Sequence, residues 1–214
     1  MRQKGLLIVV SGPSGVGKST LCRAITTQLA RTTLSVSCTT RRPRPGERDG
    51  VEYHFIEKSQ FEAMVQRQEF VEWATVYGNM YGTPSQQLEQ AMEQGIDVLL
   101  DIDTQGARQI MKCFSDAVSV FIMPPSLDAL QDRLLQRAAD APAEVQRRFQ
   151  KAREEILNYH VYGYVLRNDD LTQATRVLEA VILAERMKTT RMTNAWLIEY
   201  GLMANPDSQH IPII

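Results

Sequence analysis

Gly12-Pro13-Ser14-Gly15-Val16-Gly17-Lys18-Ser19-Thr20 follows the apolar run Leu6-Leu7-Ile8-Val9-Val10 and leads into Leu21-Cys22-Arg23-Ala24-Ile25. The order is a buried strand, a glycine-rich turn and the opening of a helix. Gly12, Gly17, Lys18 and Ser19 satisfy G-x-x-x-x-G-K-[ST], in which glycines let backbone N–H groups turn inward around a polyphosphate at the positive end of a helix. In that pattern Lys18 reaches the β- and γ-phosphates and Ser19 ligates Mg²⁺. A plain glycine-rich turn is the alternative. A dinucleotide fingerprint is disfavoured, because the glycines run G-x-x-G-x-G where that motif needs G-x-G-x-x-G.

The chain has 214 residues, enough for one sizeable core with excursions from it, so one α/β domain with insertions is expected. Lys plus Arg total 24 and Asp plus Glu 25, a formal net charge of -1, so no global field draws the protein to nucleic acid or to an anionic membrane. Any anion specificity is local. Cys22, Cys38 and Cys113 are too scattered for a zinc motif and too few for a disulfide framework, which suits a reducing compartment. His54, His160 and His210 are equally dispersed and support neither a metal site nor a Ser-His-Asp triad. The N-terminus reaches its strand with no charged-then-apolar leader, and no apolar run approaches bilayer length, so a soluble cytoplasmic protein is expected.

Leu21, Ile25 and Leu29 give the first helix an apolar stripe that ends near Ala30. Residues 34–40 alternate as one half-exposed strand, and Arg41-Arg42-Pro43-Arg44-Pro45-Gly46-Glu47-Arg48-Asp49-Gly50 then breaks regular structure. Strands are predicted over 52–56 and 69–76 around a short helix at Phe61, Met64 and Val65, an antiparallel insertion given such short connections. Residues 78–84 read as a turn, and Pro84 opens a helix that stops at Gly95. Val98-Leu99-Leu100-Asp101-Ile102-Asp103 is a buried strand ending in two carboxylates, where open α/β sheets place ligands. Asp101 closes it as a Walker B acid would, holding Mg²⁺ through water. Residues 118–123 form the next strand, and Ser126 caps a helix carrying Leu127, Leu130 and Leu134. A second helix follows Pro142 with the stripe Val145, Phe149, Ala152 and Ile156; Arg148 flanks the stripe and Arg147 points away. Residues 164–166 and an amphipathic helix through Leu171, Ala174, Leu178, Val181 and Ile182 follow, and beyond Thr190 the chain reads as a loose tail or one that orders against another subunit, a possible homo-oligomer contact.

A phosphate loop does not choose between hydrolase, motor and kinase. A small-molecule kinase needs a second anion site facing the first, and Arg41 and Arg44 in their proline-stiffened loop offer a guanidinium clamp; a solvated basic loop is the plainer alternative.

Three stretches stand out in the first part of the chain: Ser14-Gly15-Val16-Gly17-Lys18-Ser19-Thr20, Ser35-Val36-Ser37-Cys38-Thr39-Thr40-Arg41-Arg42-Pro43-Arg44-Pro45-Gly46-Glu47 and Tyr53-His54-Phe55. Three more follow: Glu69-Phe70-Val71-Glu72-Trp73-Ala74, Gly78-Asn79-Met80-Tyr81-Gly82-Thr83 and Leu100-Asp101-Ile102-Asp103-Thr104-Gln105-Gly106. On these six stretches the chain resembles the bacterial guanylate kinases, from about Leu6 to about Thr190. The resemblance implies Mg-dependent transfer of the γ-phosphate of ATP to GMP, with ATP on residues 12–20. Arg41, Arg44, Tyr53 and Tyr81 fall at the GMP-phosphate positions, and Ser37, Glu72, Thr83 and Asp103 at the guanine positions. A carboxylate suits guanine, which offers N1–H and an exocyclic amine on one edge, whereas adenine presents a bare acceptor at N1. Without the resemblance, Glu72 would read as an outward residue of an alternating strand and the two tyrosines as packing aromatics. Arg133, Arg137 and Arg148 fall on a lid that closes over ATP, and Asn168 near the adenine. Lys18, Arg41, Arg137 and Arg148 are thereby the expected catalytic cations.

Two positions depart from the family pattern. The lid normally reads Arg-Gly-Thr, but here it is Arg137-Ala138-Ala139-Asp140-Ala141-Pro142, and Gly163 stands where Tyr-Asp-Tyr is usual. Lid motion is the property these changes touch. The expected fold is a P-loop core with a mainly parallel sheet flanked by helices (1–33, 84–125 and 161–190), a small antiparallel GMP-binding insertion (34–83), a helical lid (126–160) and a tail (191–214). The rival functions are an inactive guanylate-kinase-like binding module and a kinase for another nucleoside monophosphate. A GTPase is disfavoured because Asn-Lys-x-Asp is absent.

Overall fold

The computed structural model describes residues 4–137, 142–191 and 195–203. Strand β1 (Leu7–Ser11) is wholly buried and runs through the loop at 12–17 into α1 (Lys18–Gln28). It lies at the centre of a parallel five-stranded sheet of order β2-β7-β1-β8-β9, formed with β2 (Thr32–Leu34), β7 (Asp97–Asp101), β8 (Val118–Met123) and β9 (Tyr164–Arg167). Its residues alternate between two cores. Leu6, Ile8 and Val10 face Leu21 and Ile25 of α1 and Leu178 and Ile182 of α7 (Leu171–Arg186). Leu7 and Val9 face Leu88 and Met92 of α3 (Ser85–Glu93) and Ile110 of α4 (Thr104–Cys113). A strand buried on both faces is continuously apolar, which is why 6–10 carries no polar residue.

A second sheet, of order β4-β3-β6-β5, contains β3 (Cys38–Thr39), β4 (His54–Phe55), β5 (Phe70–Val76) and β6 (Asn79–Pro84), with α2 (Lys58–Gln66) bridging β4 and β5. Its Phe61 is fully buried and stacks on Phe70 at 4.5 Å. A third core joins α5 (Leu127–Arg137) to α6 (Pro142–Leu157) through Leu130, Leu134, Val145 and Ala152, with Phe149 and Ile156 packed against them. Ser126 Oγ accepts from Ala129 N at 3.0 Å, the expected cap of α5. A 3₁₀ turn at Tyr159–Val161 precedes β9, another at Thr189–Arg191 follows α7, and α8 (Ala195–Glu199) is the last described element.

Three sequence expectations are corrected and one helix is added. Residues 34–40 are not one strand: Leu34 pairs with Leu99 in the large sheet, whereas Cys38 pairs with Gly82 in the small one. The small sheet is mixed, because β3 and β4 run parallel, Cys38 opposite His54, after the long basic loop returns the chain in the same direction. The stretch 78–84 is mostly strand β6, which pairs antiparallel with both β3 and β5; only Tyr77-Gly78 turns. Both turn residues have positive φ, 50° and 80°, the conformation of a two-residue hairpin turn. Helix α4, unassigned in the sequence, starts at Asp103, whose carboxylate accepts from Gln105 N and Gly106 N as an N-cap. Farther along α4, Gln109 bonds both backbone groups of Trp73 on the outer strand β5, donating to its carbonyl at 2.7 Å and accepting from its N–H at 3.3 Å.

Candidate active site

The phosphate loop sits where β1 must turn into α1 within a few residues. Gly17 caps α1 with φ 98°, and a Cβ there would lie 2.5 Å from Asn168 Nδ2. Only glycine fits that position. The buried Asn168 amide donates to Val16 O at 2.8 Å, and Arg133 Nη1 donates to the same carbonyl at 3.3 Å. These two residues therefore brace the loop from behind. Lys18 Nζ donates to Gly12 O at 2.8 Å and Pro13 O at 3.3 Å, which holds the ammonium over the loop. The Ser19 hydroxyl donates to an Asp101 carboxylate oxygen, joining the first turn of α1 to the end of β7.

The loop forms one wall of a cleft of about 790 Å³, a size suited to small ligands. The opposite wall comes from the second sheet and the basic loop. Glu72 alternates inward on β5 and is 4% exposed. Thr83 Oγ1 donates to its Oε1 at 2.6 Å, and Ser37 Oγ lies 3.3 Å from Thr83 Oγ1. Glu72 Oε2 lies against Gly106, where a Cβ would approach to 2.3 Å, so the α4 backbone seats the carboxylate. Burial, reinforced by nearby Asp103 and opposed by the Thr83 hydrogen bond, pushes the Glu72 carboxyl up to about 7.

Arg41 is held by a two-pronged pair with Glu47, both N···O distances being 2.9 Å, and lies 5.5 Å from the centre of the Tyr53 ring. Burial opposes its charge, but Glu47 holds the guanidinium above its ordinary range and is itself held below the usual carboxylate range, again against burial. Glu47 also accepts from Arg44 N at 2.7 Å, so one carboxylate shapes the whole loop. The exposed Arg44 lines the cleft with Tyr53 and Tyr81, whose rings meet edge to face at 5.8 Å. Burial raises the Tyr53 phenol, which stays protonated as a donor.

Arg148 lies on the cleft, and so does Arg147, correcting the expectation that it points away. The two guanidiniums lie 4.9 and 4.7 Å from the centre of the Tyr77 ring, because the helix presents adjacent long side chains to the same hairpin tip. Lys151 and Glu155 of α6 also line the cleft. The Thr104 hydroxyl donates to Glu155 Oε1 at 3.2 Å, and burial raises that carboxyl despite Lys151. Sequence reasoning gave no site role to Glu47, Tyr77, Gly106, Lys151 and Glu155, although Glu47 and Gly106 close two of the stretches that carry the resemblance; on α6 the i, i+4 spacing of Arg147 and Lys151 was the local signal. The Arg137 side chain and the lid stretch 138–141 lie outside the described residues, as does the tail from 204. Gly163 N donates to Ser119 Oγ at 2.9 Å, and a Cβ there would meet only ordinary contacts.

Among the described residues no group of three His, Cys, Asp or Glu side chains forms a metal cage. Ser19 and Asp101 nevertheless fit Mg²⁺, which takes one or two protein oxygens and completes its shell with water and phosphate.

The guanylate kinase family model matches residues 4–185. The guanylate kinase of Symbiobacterium thermophilum is 52% identical over 198 residues, 92% of this chain and 93% of that protein. That of Carboxydothermus hydrogenoformans is 48% identical over 200 residues, 94% of this chain and 98% of that one. The crystal structure of guanylate kinase from Anaplasma phagocytophilum superposes with a TM-score of 0.80 at 32% identity, covering 95% of this chain and 99% of that one.

Proposed function

The chain belongs to the guanylate kinase family, and from that premise we propose that it transfers the γ-phosphate of Mg·ATP to GMP, giving ADP and GDP. The observation that carries the reading is a buried carboxylate, Glu72, in the same cleft as Lys18 and the phosphate loop. Ionised Glu72 accepts the guanine N1–H and amine, with Ser37, Thr83 and Asp103 completing the base site. Arg41, Arg44, Tyr53 and Tyr81 hold the GMP phosphate. The nucleophile is an oxygen of that phosphate, already anionic, so no general base is required. The task left to the chain is to bring two anions together and to stabilise charge on the group in flight.

The loop N–H groups and Lys18 hold the β- and γ-phosphates of ATP, Arg137 and Arg148 approach from the lid, and Arg133 of the same lid acts through the loop carbonyl to which it donates. Asn168 acts on the ATP side through the loop it braces. Ser19 and Asp101 would hold Mg²⁺, Asp101 through water, and the ion would supply charge neutralisation between phosphates. We divide the chain into a core (1–33, 84–125, 161–190), a GMP-binding insertion (34–83) and a lid (126–160), whose approach excludes water that would otherwise hydrolyse ATP. A cytoplasmic location belongs to the same proposal, supported by the unpaired thiols of Cys22, Cys38 and Cys113. No helix among the described residues is long and apolar enough to cross a membrane.

A coupled assay of ADP release with GMP, AMP, UMP and dTMP offered separately tests the reading. Turnover confined to GMP is expected. Preference for another monophosphate would overturn the base site, and GMP binding without turnover would make the chain a binding module.

A further inference from the structure

The tip of the β5–β6 hairpin is an unusual place for an aromatic residue. The two-residue turn requires positive φ at both positions and favours Asn-Gly or Asp-Gly, yet position 77 is a tyrosine at φ 50°. Strained backbone of this kind persists where the side chain has a task. The Tyr77 ring lies at the cleft and gathers three cations from α6: Arg147 at 4.7 Å, Arg148 at 4.9 Å and Lys151 at 5.2 Å from its centre. Three like charges so close repel one another. The negative face of a ring offsets part of that repulsion and gives each cation a preferred place. Glu155, 3.8 Å from Lys151, neutralises one of the three from the helix side.

We propose that Tyr77 is a positioning residue: the hairpin tip of the insertion forms the seat on which α6 sets Arg148, so that the lid arginine reaches its place over the phosphates only when the insertion is in register beneath it. The proposal rests on the kinase reading given above. It places at one contact the coupling between the two substrate sites, since the ring belongs to the GMP-binding segment and the cations to the segment that approaches ATP. A ring recognises cations by its face alone, so the phenol oxygen is not required.

Steady-state kinetics on Tyr77→Asn, Tyr77→Phe and Arg148→Ala, singly and combined, test it. Asparagine suits the turn and removes the ring, so a merely structural role predicts unchanged kinetics, with any loss confined to thermal stability. The positioning role predicts that Tyr77→Asn lowers kcat about tenfold, with KM for GMP and ATP within about twofold. Tyr77→Phe returns kcat to within about twofold of the unmodified enzyme, and Tyr77→Asn costs less than about twofold once Arg148 is already alanine. An Asn variant as fast as the parent overturns the proposal. So does a Phe variant as slow as Asn, or an undiminished tenfold loss in the Arg148→Ala background. Absence of GMP turnover by the parent chain would remove the kinase reading and this proposal together; an active parent beside an unimpaired Tyr77→Asn removes this proposal alone.

Discussion

The two walls of the cleft are built on different principles. The phosphate-loop wall is one continuous stretch, the turn at 12–17 and the first residues of α1, and under the proposed function it serves ATP mostly through backbone N–H groups. The opposite wall is made of side chains drawn from Ser37, Arg41, Arg44, Tyr53, Glu72, Tyr81 and the α4 N-terminus, with the buried Thr83 behind Glu72, and nothing in the local chain brings them together. A polyphosphate carries charge on every side and is served by a generic nest of donors. A purine base differs from its competitor by the position of a few hydrogen atoms, and only placed side chains read that.

The sharpest break between the walls is Lys18→Ala. It removes a charge from the shared phosphate in flight, so transfer to every acceptor should fall by about 10³ or more in kcat, read as ADP release with GMP and AMP alike. A loss confined to GMP would show that the walls are not functionally separate. Glu72→Gln should do the reverse. The amide presents a donor where guanine also donates, so GMP-over-AMP preference in kcat/KM should fall by about a hundredfold while KM for ATP stays within about twofold. An unchanged preference would take Glu72 out of the base site.

The pH dependence sharpens the same contrast. Burial pushes the Glu72 carboxyl up to about 7, so protonated Glu72 predominates below that pH and, in the proposed base site, would have to lose its proton before accepting from guanine. Lowering the pH from about 8 to about 6 should therefore raise KM for GMP about tenfold through this group, beyond any contribution from the GMP phosphate itself. In Glu72→Gln that component should vanish while the phosphate component remains, and a profile identical to the parent's would assign the titration elsewhere. The smallest effect should come from Glu47→Gln. The amide keeps the loop shape but weakens the fork on Arg41, so KM for GMP should rise about threefold with little change in KM for ATP, measured under the same conditions.

The same division explains what was legible. β1, β8 and α7 announce themselves by apolar runs or helical periodicity, and the P-loop motif fixes its own geometry by spacing. β6 looks like a turn because Gly78, Gly82 and Pro84 punctuate it, and it becomes a strand only through partners on both sides, β3 and β5. The parallel pairing of β3 with β4 depends on the path of a loop whose sequence states only that it is irregular. Helix α4 begins with Thr104-Gln105-Gly106, a weak helical opening that is secured by the Asp103 cap and by contact with β5. Most second-wall residues were named because the chain resembles a family, not because their spacing required it. Tyr77 escaped both routes, since its partners lie on α6 and nothing local distinguishes it from a packing residue.

The amide of Gln109 has a consequence for the protein in company. β5 is the outer strand of the small sheet, and an open strand edge beside the half-exposed indole of Trp73 would invite a second chain to pair along it. Gln109 presents to Trp73 the donor and acceptor that an incoming peptide group would offer, so this stretch of edge is already occupied from within. One side chain thus stands in for a strand at this residue, and the helix that seats the Glu72 carboxylate also satisfies the outward backbone groups of its neighbour on β5.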